Sequence, residues 1–250
     1  MDSINKSSLT IIMPAYNESA GLEDAYRTAS RAVARAEIDD YEIIIVTRTA
    51  ADGTHDGTPD IADKIASQDN RVRHLAYKNV RLGYQYRQGV KNSTKDYVMM
   101  VPGDSDTIED SLVTILTHIG EAPVISTYTQ NPEARPLYIR FVSYGFVVIC
   151  NIAFGLRMKY FNGISMHRRE LLERIPEFSN SPAYMAVILI QLVKSKAKYL
   201  EIPQVIKISG PGKTFKAESV FSSLKALISL FWKINFKRMR VDIPPKHRRA

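Results

Sequence analysis

The chain has 250 residues, 45% of them hydrophobic and 24% charged, and a formal net charge of +8. These values are those of a globular protein with a full core, and they exclude a disordered or low-complexity chain. The single cysteine excludes an internal disulfide framework and suits a reducing compartment. The polar first residues show no basic start followed by a hydrophobic run, which predicts no signal peptide.

Strand and helix signals alternate through the first half of the chain. The predicted strands are Leu9–Met13, Tyr41–Thr47, Val72–Tyr77, Tyr97–Pro102 and Val124–Thr127. The predicted helices run from Asn17 or Ser19 to Ala36, and over Pro59–Ser67, Gly83–Asn92 and Glu109–Ile119. This alternation predicts an α/β fold, with a mostly parallel sheet and helices on both of its faces.

The second half is more helical. The predicted elements are helices over Arg135–Leu156, Arg168–Ile175 and Ala183–Val193, a strand over Tyr199–Ile208, and a C-terminal helix. The longest apolar run, Phe141–Leu156, is sixteen residues long. Since a spanning helix needs about 20 residues, this run predicts a core or interfacial helix rather than a membrane span.

The C-terminal helix is amphipathic. Its apolar residues recur at spacings of three and four, at Val220, Leu224, Leu227, Phe231 and Ile234. This stripe fits packing against the domain, but Trp232 and the flanking lysines equally suit a helix lying in a membrane interface. From Lys233 to Ala250 there are seven Lys or Arg residues and one acid, so this tail carries +6 of the net charge. Such a tail indicates nucleic acid, an anionic membrane surface or no specific partner.

Two carboxylates follow the fourth predicted strand, in the sequence Gly103-Asp104-Ser105-Asp106. The period of an extended chain points Asp104 and Asp106 to the same side, at the end of a strand where α/β sheets bind ligands. A divalent cation that prefers oxygen ligands, Mg²⁺ or Mn²⁺, would relieve their repulsion. The alternative is that an aspartate caps a helix beginning near Thr107.

Five segments carry a resemblance to a known family. They are Pro14-Ala-Tyr-Asn-Glu18, Asn79–Gly89, Asp104-Ser-Asp106, Tyr160–Leu172, and Ile202-Pro203 followed by Gly212-Lys-Thr214. In this order they resemble the family 2 glycosyltransferases with a GT-A (Rossmann-like) fold, in particular the dolichyl- and polyprenyl-phosphate sugar synthases. The resemblance implies a GT-A domain over residues 1–215, with a nucleotide-sugar half at 1–130 and an acceptor half at 131–215. Residues 216–250 are then an amphipathic helix and basic tail that contact a membrane surface.

The resemblance also implies a donor site for a UDP- or GDP-sugar, with Mn²⁺ or Mg²⁺ held by the catalytic residues Asp104 and Asp106. The implied donor-binding residues are Pro14, Ala15, Tyr16, Glu18, Thr47, Asp52, Gly83, Arg87 and Asp104. The chain departs from the family in the loop after the second strand. There Thr47–Thr58 replaces the usual Val-Asp-Asp-Gly-Ser-x-Asp-Gly-Thr.

The implied acceptor is a polyprenyl phosphate at the cytoplasmic face of a membrane, and nucleic acid is not an expected partner. A phosphate nucleophile is already an anion, so it needs cationic clamps rather than a general base. The predicted clamps are Arg135, Arg140, Arg157 and Arg168. One alternative is a saccharide hydroxyl acceptor, which needs a carboxylate base from Glu170, Glu173 or Glu177. Another is a non-catalytic nucleotide- or membrane-binding module. The oligomeric state stays open.

Overall fold

The structure is a computed structural model and describes residues 7–207 and 217–249. The strands are β1 (Leu9–Ala15), β2 (Tyr41–Thr49), β3 (Val72–Lys78), β4 (Tyr97–Met100), β5 (Val124–Thr129), β6 (Ser165–Arg168) and β7 (Tyr199–Gln204). The helices are α1 (Leu22–Arg35), α2 (Thr58–Gln68), α3 (Leu82–Asn92), α4 (Glu109–Leu116), α5 (Leu137–Phe154), α6 (Arg169–Glu173), α7 (Tyr184–Lys194) and α8 (Ala217–Asn235). The polar N-terminus Met1–Lys6, the predicted strand end at Ile208 and the Gly212–Thr214 motif lie outside the described residues.

The seven strands form one sheet in the order β3-β2-β1-β4-β6-β5-β7. Neighbouring strands pair in parallel except at β6, which is antiparallel to both β4 and β5. Because β6 reverses direction on both sides, the other six strands all run the same way. Their carboxyl ends therefore share one edge of the sheet, and the predicted mostly parallel α/β fold is confirmed.

The strands are buried on both faces, as expected for a sheet covered by helices on each side. In β2, Ile43 and Ile45 pack in the core cluster shared with α1 and α4. Ile44 and Val46 point to the other face and pack in the cluster shared with α3 and α7. Full burial of each such side chain contributes about 2 kcal/mol. The β-branched run of β2 therefore fixes this strand in the middle of the molecule.

Strand β6 was not predicted, because its four residues follow an Asn-Gly break and precede a helix signal. The predicted helix at Arg168–Ile175 is instead the end of β6 followed by the short α6. The entry to β6 depends on Gly163, where an added Cβ would lie 2.4 Å from the Thr127 carbonyl oxygen. Only glycine allows the chain to come this close to β5.

Helix α5 is far more exposed than a core helix. Within the described residues it is the one helix long and apolar enough to cross a membrane, and 17% of it is buried. Its buried residues, Cys150 and Phe154, lie in its C-terminal half. The core alternative is therefore wrong for most of this helix.

The C-terminal segment does not form a separate unit. From the predicted stripe of α8, Leu227 and Ile234 are buried in the core cluster shared with α7, whereas Val220 and Leu224 are exposed. The tail then folds back onto the domain. His247 bonds to Glu170 of α6, and Lys246 lies 3.1 Å from the same carboxylate. Part of the basic tail is thus paired with the domain.

Candidate functional site at the carboxyl edge of the sheet

A cavity of about 510 Å³ opens at the carboxyl ends of β1, β2 and β4. This is the edge where α/β sheets bind ligands. Five of the predicted donor-binding residues line it, namely Pro14, Ala15, Tyr16, Glu18 and Asp104. Its other polar side chains come from the end of β2, the start of α3, the loop before α7 and α8, and they are Arg48, Arg81, Gln85, Asn180 and Ser222.

Backbone contacts fix the floor of the cavity. The Gly103 N–H donates to the Pro14 carbonyl over 3.1 Å, which holds the chain after β4 against the end of β1. Gln85, which is buried, donates from Nε2 to the Val46 carbonyl over 2.6 Å and to the Ala15 carbonyl over 3.3 Å. The ends of β1, β2 and β4 are therefore held in one rigid corner.

Arg48 and Tyr16 form a stacked pair on one side of this corner. The guanidinium carbon of Arg48 lies 3.6 Å from the centre of the Tyr16 ring, and Nη1 donates to the Val80 carbonyl over 2.6 Å. The strand register explains the contact, because Ala15 pairs with Thr47 and the next residues of the two strands lie side by side. A guanidinium has five N–H donors, so most of them remain for a ligand.

The two aspartates form a tight turn rather than a helix cap. The Asp106 N–H donates to Asp104 Oδ1 over 3.2 Å, and Ser105 between them has a φ of 54°. Helix α4 begins only at Glu109, and its N-cap residue Ile108 makes no side-chain cap bond. The helix-cap alternative is therefore wrong. Asp104 faces the cavity, while Asp106 is exposed two residues further along.

The described residues contain no group of three or more side chains able to hold a metal ion by themselves. The Asp104–Asp106 pair nevertheless suits Mg²⁺ or Mn²⁺. Such ions are commonly held by one or two carboxylates and take their other ligands from substrate phosphates and water. The two carboxylates therefore fit a cation that binds together with a phosphorylated ligand.

The altered loop after β2 does not bring its predicted residues to the cavity. Thr47 is buried, with Oγ1 2.7 Å from His74 Nε2, and Asp52 is exposed and accepts from Thr54. Asp56 instead ties this loop to the β1 corner by accepting from the Ser19 N–H over 3.1 Å. Burial tends to raise the pKa of Asp56, but hydrogen bonds from Thr58 and Ser19 outweigh it and hold the pKa well below its ordinary value.

The two predicted residues of α3 lie apart from the ligand space. Gly83 lies under the loop before α7, where an added Cβ would be 2.0 Å from the Ser179 carbonyl oxygen, so it supports the position of Asn180. Arg87 is exposed and lies over the Phe178 ring at 5.8 Å. The prediction that Arg87 binds the donor is therefore not supported by its position.

The predicted acceptor cations divide between the two edges of the sheet. Arg135 follows the carboxyl end of β5 and donates to the Tyr160 hydroxyl over 2.9 Å, so it lies at the same edge as Asp104. Because β6 lies between β4 and β5, these two strands are roughly 10 Å apart in the sheet. Arg140 and Arg157 are exposed on α5 and just after it.

The prediction for Arg168 is wrong. Because β6 is antiparallel, it carries the chain away from the cavity, and Arg168 pairs with Tyr97 at the beginning of β4. Its guanidinium lies over the Tyr97 ring at 4.5 Å and 3.8 Å from Asp96. The neighbouring His167 is fully buried, which lowers its pKa to about 3, so it cannot meet an acceptor in solvent.

Sequence reasoning missed Arg48, Arg81, Gln85 and Asn180. For Arg48 a signal was present, since a cation at the end of an apolar strand obeys the same rule that selected Asp104. Gln85 lies inside the Asn79–Gly89 segment, but nothing in the sequence shows that it is buried under β1 and β2. Asn180 reaches the cavity through a long-range contact that no local pattern encodes.

Relatives of this chain are glycosyltransferases by name. The chain is 37% identical over 76 residues to glycosyltransferase AglD of Haloferax volcanii, covering 30% of this chain and 11% of that protein. It is 28% identical over 127 residues to poly-beta-1,6-N-acetyl-D-glucosamine synthase of Staphylococcus aureus, covering 51% of this chain and 29% of that protein. The chain therefore spans less than a third of the length of these two relatives.

The same fold occurs in glucosyl-3-phosphoglycerate synthase from Mycobacterium tuberculosis, solved in complex with Mn²⁺, uridine-diphosphate and phosphoglyceric acid. The TM-score is 0.66 at 14% identity, covering 90% of this chain and 78% of the other. The model of the family described as glycosyl transferase family 2 matches residues 10–175, which include β1 to α6 and both aspartates. Fold, cavity and motif order agree with that match, and the chain belongs to glycosyl transferase family 2.

Proposed function

We propose that this chain transfers a sugar from a nucleotide-sugar donor to a polyprenyl phosphate at a membrane surface. One observation carries the proposal. In a chain of this family, a single cavity at the carboxyl ends of β1, β2 and β4 is lined by the β1 corner, Arg48 and Asp104. The transfer is a single displacement in which the acceptor phosphate attacks the sugar carbon and a nucleoside diphosphate departs.

The donor end of the reaction requires stabilisation of a departing diphosphate. Asp104 and Asp106 would hold Mn²⁺ or Mg²⁺, which neutralises negative charge on such a leaving group. The solved enzyme from Mycobacterium tuberculosis with Mn²⁺ and uridine-diphosphate supports this assignment for the fold. The chain's own contribution is a rigid corner, because Gly103 and Gln85 hold Asp104 and Tyr16 in place before a ligand arrives.

The acceptor end favours an anionic nucleophile. The carboxylates considered as bases for a hydroxyl acceptor are engaged elsewhere: Glu170 with His247, Glu173 with Arg169, and Glu177 with Lys233 at 2.6 Å. Apart from Asp104, the carboxylate that lines the cavity is Glu18. Arg135, Arg140 and Arg157 would position the phosphate.

The acceptor assignment implies location at the cytoplasmic face of a membrane, in contact with an anionic lipid surface. The exposed aromatic residues Phe221 and Trp232 on α8, and Phe236 just after it, support this location. Exposed lysines and arginines beside them would add attraction to anionic headgroups.

The test is a transfer assay with the full chain, polyprenyl phosphate, Mn²⁺ and labelled UDP- and GDP-sugars. We expect label in the lipid fraction with one donor class and none without the cation. Label appearing only in a soluble saccharide would overturn the acceptor assignment.

Arg48 gives a prediction about donor binding. We expect Arg48→Ala to weaken binding of the nucleoside diphosphate about tenfold, since a stacked, partly desolvated guanidinium contributes about 1–2 kcal/mol. Arg48→Lys should restore only part of the loss, because lysine lacks the planar fork. Isothermal titration with UDP and GDP in the presence of Mn²⁺ measures the change.

Arg27→Ala is the matched control for Arg48, since Arg27 is exposed on α1 and pairs with Glu23 outside the cavity. An equal loss of affinity for UDP and GDP would mean that Arg48 contacts the phosphates. An unequal loss would mean that it contacts the base. Binding unchanged in Arg48→Ala would remove this residue from the donor site.

A further inference from the structure

Helix α5 carries an exposed face without a single charge. The large side chains of this face are 48% to 78% exposed, and they are Leu137, Tyr138, Phe141, Val142, Tyr144, Ile149 and Ile152. At 3.6 residues per turn they fall within an arc of about 160°. We call this set the α5 face. So much exposed apolar surface on one side of a helix marks an interaction site rather than a solvated surface.

The opposite side of α5 is bound to the domain. Phe146, Val147, Cys150 and Phe154 pack on the core cluster that α8 also joins, and Phe154 meets Phe231 of α8 at 6.0 Å between ring centres. The α5 face is therefore the side of the helix that stays exposed when the other side packs on the domain.

Both ends of α5 are tied to the same domain. Before the helix, Asn131 exchanges two hydrogen bonds of 2.9 Å with the backbone of Ile206. After it, Lys194 Nζ of α7 donates to the Phe154 carbonyl over 2.7 Å, and the Lys159 N–H donates to the Glu201 carboxylate of β7 over 2.6 Å. The strands on either side, β5 and β6, are neighbours in one sheet.

This tethering excludes a membrane span. A spanning α5 would place Leu137 and Phe154 on opposite sides of a hydrocarbon core about 30 Å thick. The six residues from Asn131 to Leu137 reach at most about 21 Å, and they would cross the lipid with unpaired backbone groups. The helix can therefore only lie along a surface.

The charges near α5 and α8 indicate what covers the α5 face. Residues 137–157 contain Arg140 and Arg157 and no acid, and residues 220–241 contain five lysines or arginines and no acid. A second copy of this chain would bring like charges together. A bilayer with anionic headgroups offers both an apolar layer and the complementary charge.

We infer that α5 lies in the plane of an anionic bilayer, with the α5 face in the boundary between headgroups and acyl chains. Helix α8 and the residue that follows it contribute a second exposed apolar set, Val220, Phe221, Leu224, Ile228, Trp232 and Phe236. The protein thus rests on the membrane by two helices that share the Phe154–Phe231 contact. This inference does not depend on which acceptor the enzyme uses.

The first test is flotation of the full chain with vesicles of phosphatidylcholine, with and without phosphatidylglycerol. We expect binding that requires the anionic lipid and falls at least about tenfold when Phe141→Ser and Ile152→Ser are combined. Both side chains are exposed, so thermal unfolding should show the variant folded. Val205→Ser is the matched control, because Val205 is an exposed apolar residue that belongs to neither α5 nor α8.

The second test measures how deeply the two helices lie in the bilayer. Trp232 is the only tryptophan, so quenching by brominated lipids reports on α8 directly. In a Trp232→Phe background, tryptophan is placed singly by Tyr138→Trp, Phe141→Trp, Ile149→Trp and Ile152→Trp. An in-plane helix gives one shallow depth for all four, whereas a span gives depths that change along the helix.

Three outcomes would overturn the inference. They are flotation that is unaffected by the α5 substitutions, a depth that varies along α5, and lipid-independent self-association that the same substitutions abolish. None of these results bears on sugar transfer to a soluble acceptor. They would remove the membrane location from the proposed function as well, whereas the donor and metal chemistry, which the transfer assay measures, would stand.

Discussion

Replacement of either aspartate of the Asp104–Asp106 pair is expected to cause the largest loss of activity. We expect Asp104→Asn and Asp106→Asn each to lower sugar transfer roughly a hundred- to a thousandfold, the usual effect of removing a group that stabilises developing charge. At position 104 asparagine is more informative than alanine, because its amide oxygen can still accept the hydrogen bond from the Asp106 N–H. The turn around Ser105 is thereby kept while the charge is lost.

The readout is a transfer rate together with Mn²⁺-dependent nucleotide binding by thermal shift, since a ligand that binds only the native state raises its stability. Wild type should be stabilised by UDP or GDP only when the cation is present, and both variants should lose this dependence. Asp110→Asn removes the same charge from the surface of α4, outside the cavity, and should change neither readout. Full transfer by Asp106→Asn, or full transfer in excess chelator, contradicts the metal assignment.

The strand-end rule predicted Asp104, and the family resemblance implied Pro14–Glu18. Pro14–Glu18 and Asp104 end apolar runs, and parallel strands bring their carboxyl ends to a common edge. Arg168 was expected as a phosphate clamp because it is a cation in the acceptor-like segment, and that expectation did not use the direction of its strand. The four residues of β6 are too short a run to reveal that the chain turns back there. Arg168 therefore lies at the end of the sheet opposite to the cavity.

The exposure of α5 also lay beyond sequence reasoning. Its composition is that of a core helix, and only the positions of β5 and β6 show that the helix is anchored at both ends on the outside of the domain. The stripe on α8 left a similar choice open, because apolar residues occupy almost the whole circumference of this helix. Leu227 and Ile234 face the core while Phe221 and Trp232 face outward. Periodicity identifies a helix, but it cannot say which of two apolar sides is covered.

Glu42 gives the largest expected effect on stability. It is 8% exposed, at the opposite end of the sheet from the cavity. One carboxylate oxygen accepts from the Thr10 hydroxyl and the Thr94 N–H, each at 2.7 Å, and the other accepts from Arg73 at 2.7 Å. These contacts join β1, β2, β3 and the turn before β4. We expect Glu42→Gln to lower the free energy of unfolding by about 3 kcal/mol, because it leaves buried donors and Arg73 without the charge they bind.

The pH dependence gives this prediction a second signature. Burial raises the pKa of Glu42, but the hydrogen bonds from Thr10, Thr94 and Arg73 outweigh it and lower the pKa below its ordinary 4.5. A lowered pKa in the folded state means that this stabilisation is present above the ordinary value and is lost as the pH falls through the folded-state pKa. The difference between wild type and Glu42→Gln in urea unfolding should therefore be full at neutral pH and should shrink on acidification.

Glu23→Gln is the matched control for Glu42, since Glu23 pairs with Arg27 on the exposed side of α1 and an exposed pair contributes well under about 1 kcal/mol. A difference that stays constant with pH would mean that the Glu42 charge is not what stabilises the sheet. Because Glu42 lies far from Asp104, the folded variant should bind nucleotide with unchanged affinity at neutral pH. The substitution thus separates the network that holds the strands together from the corner at their carboxyl ends.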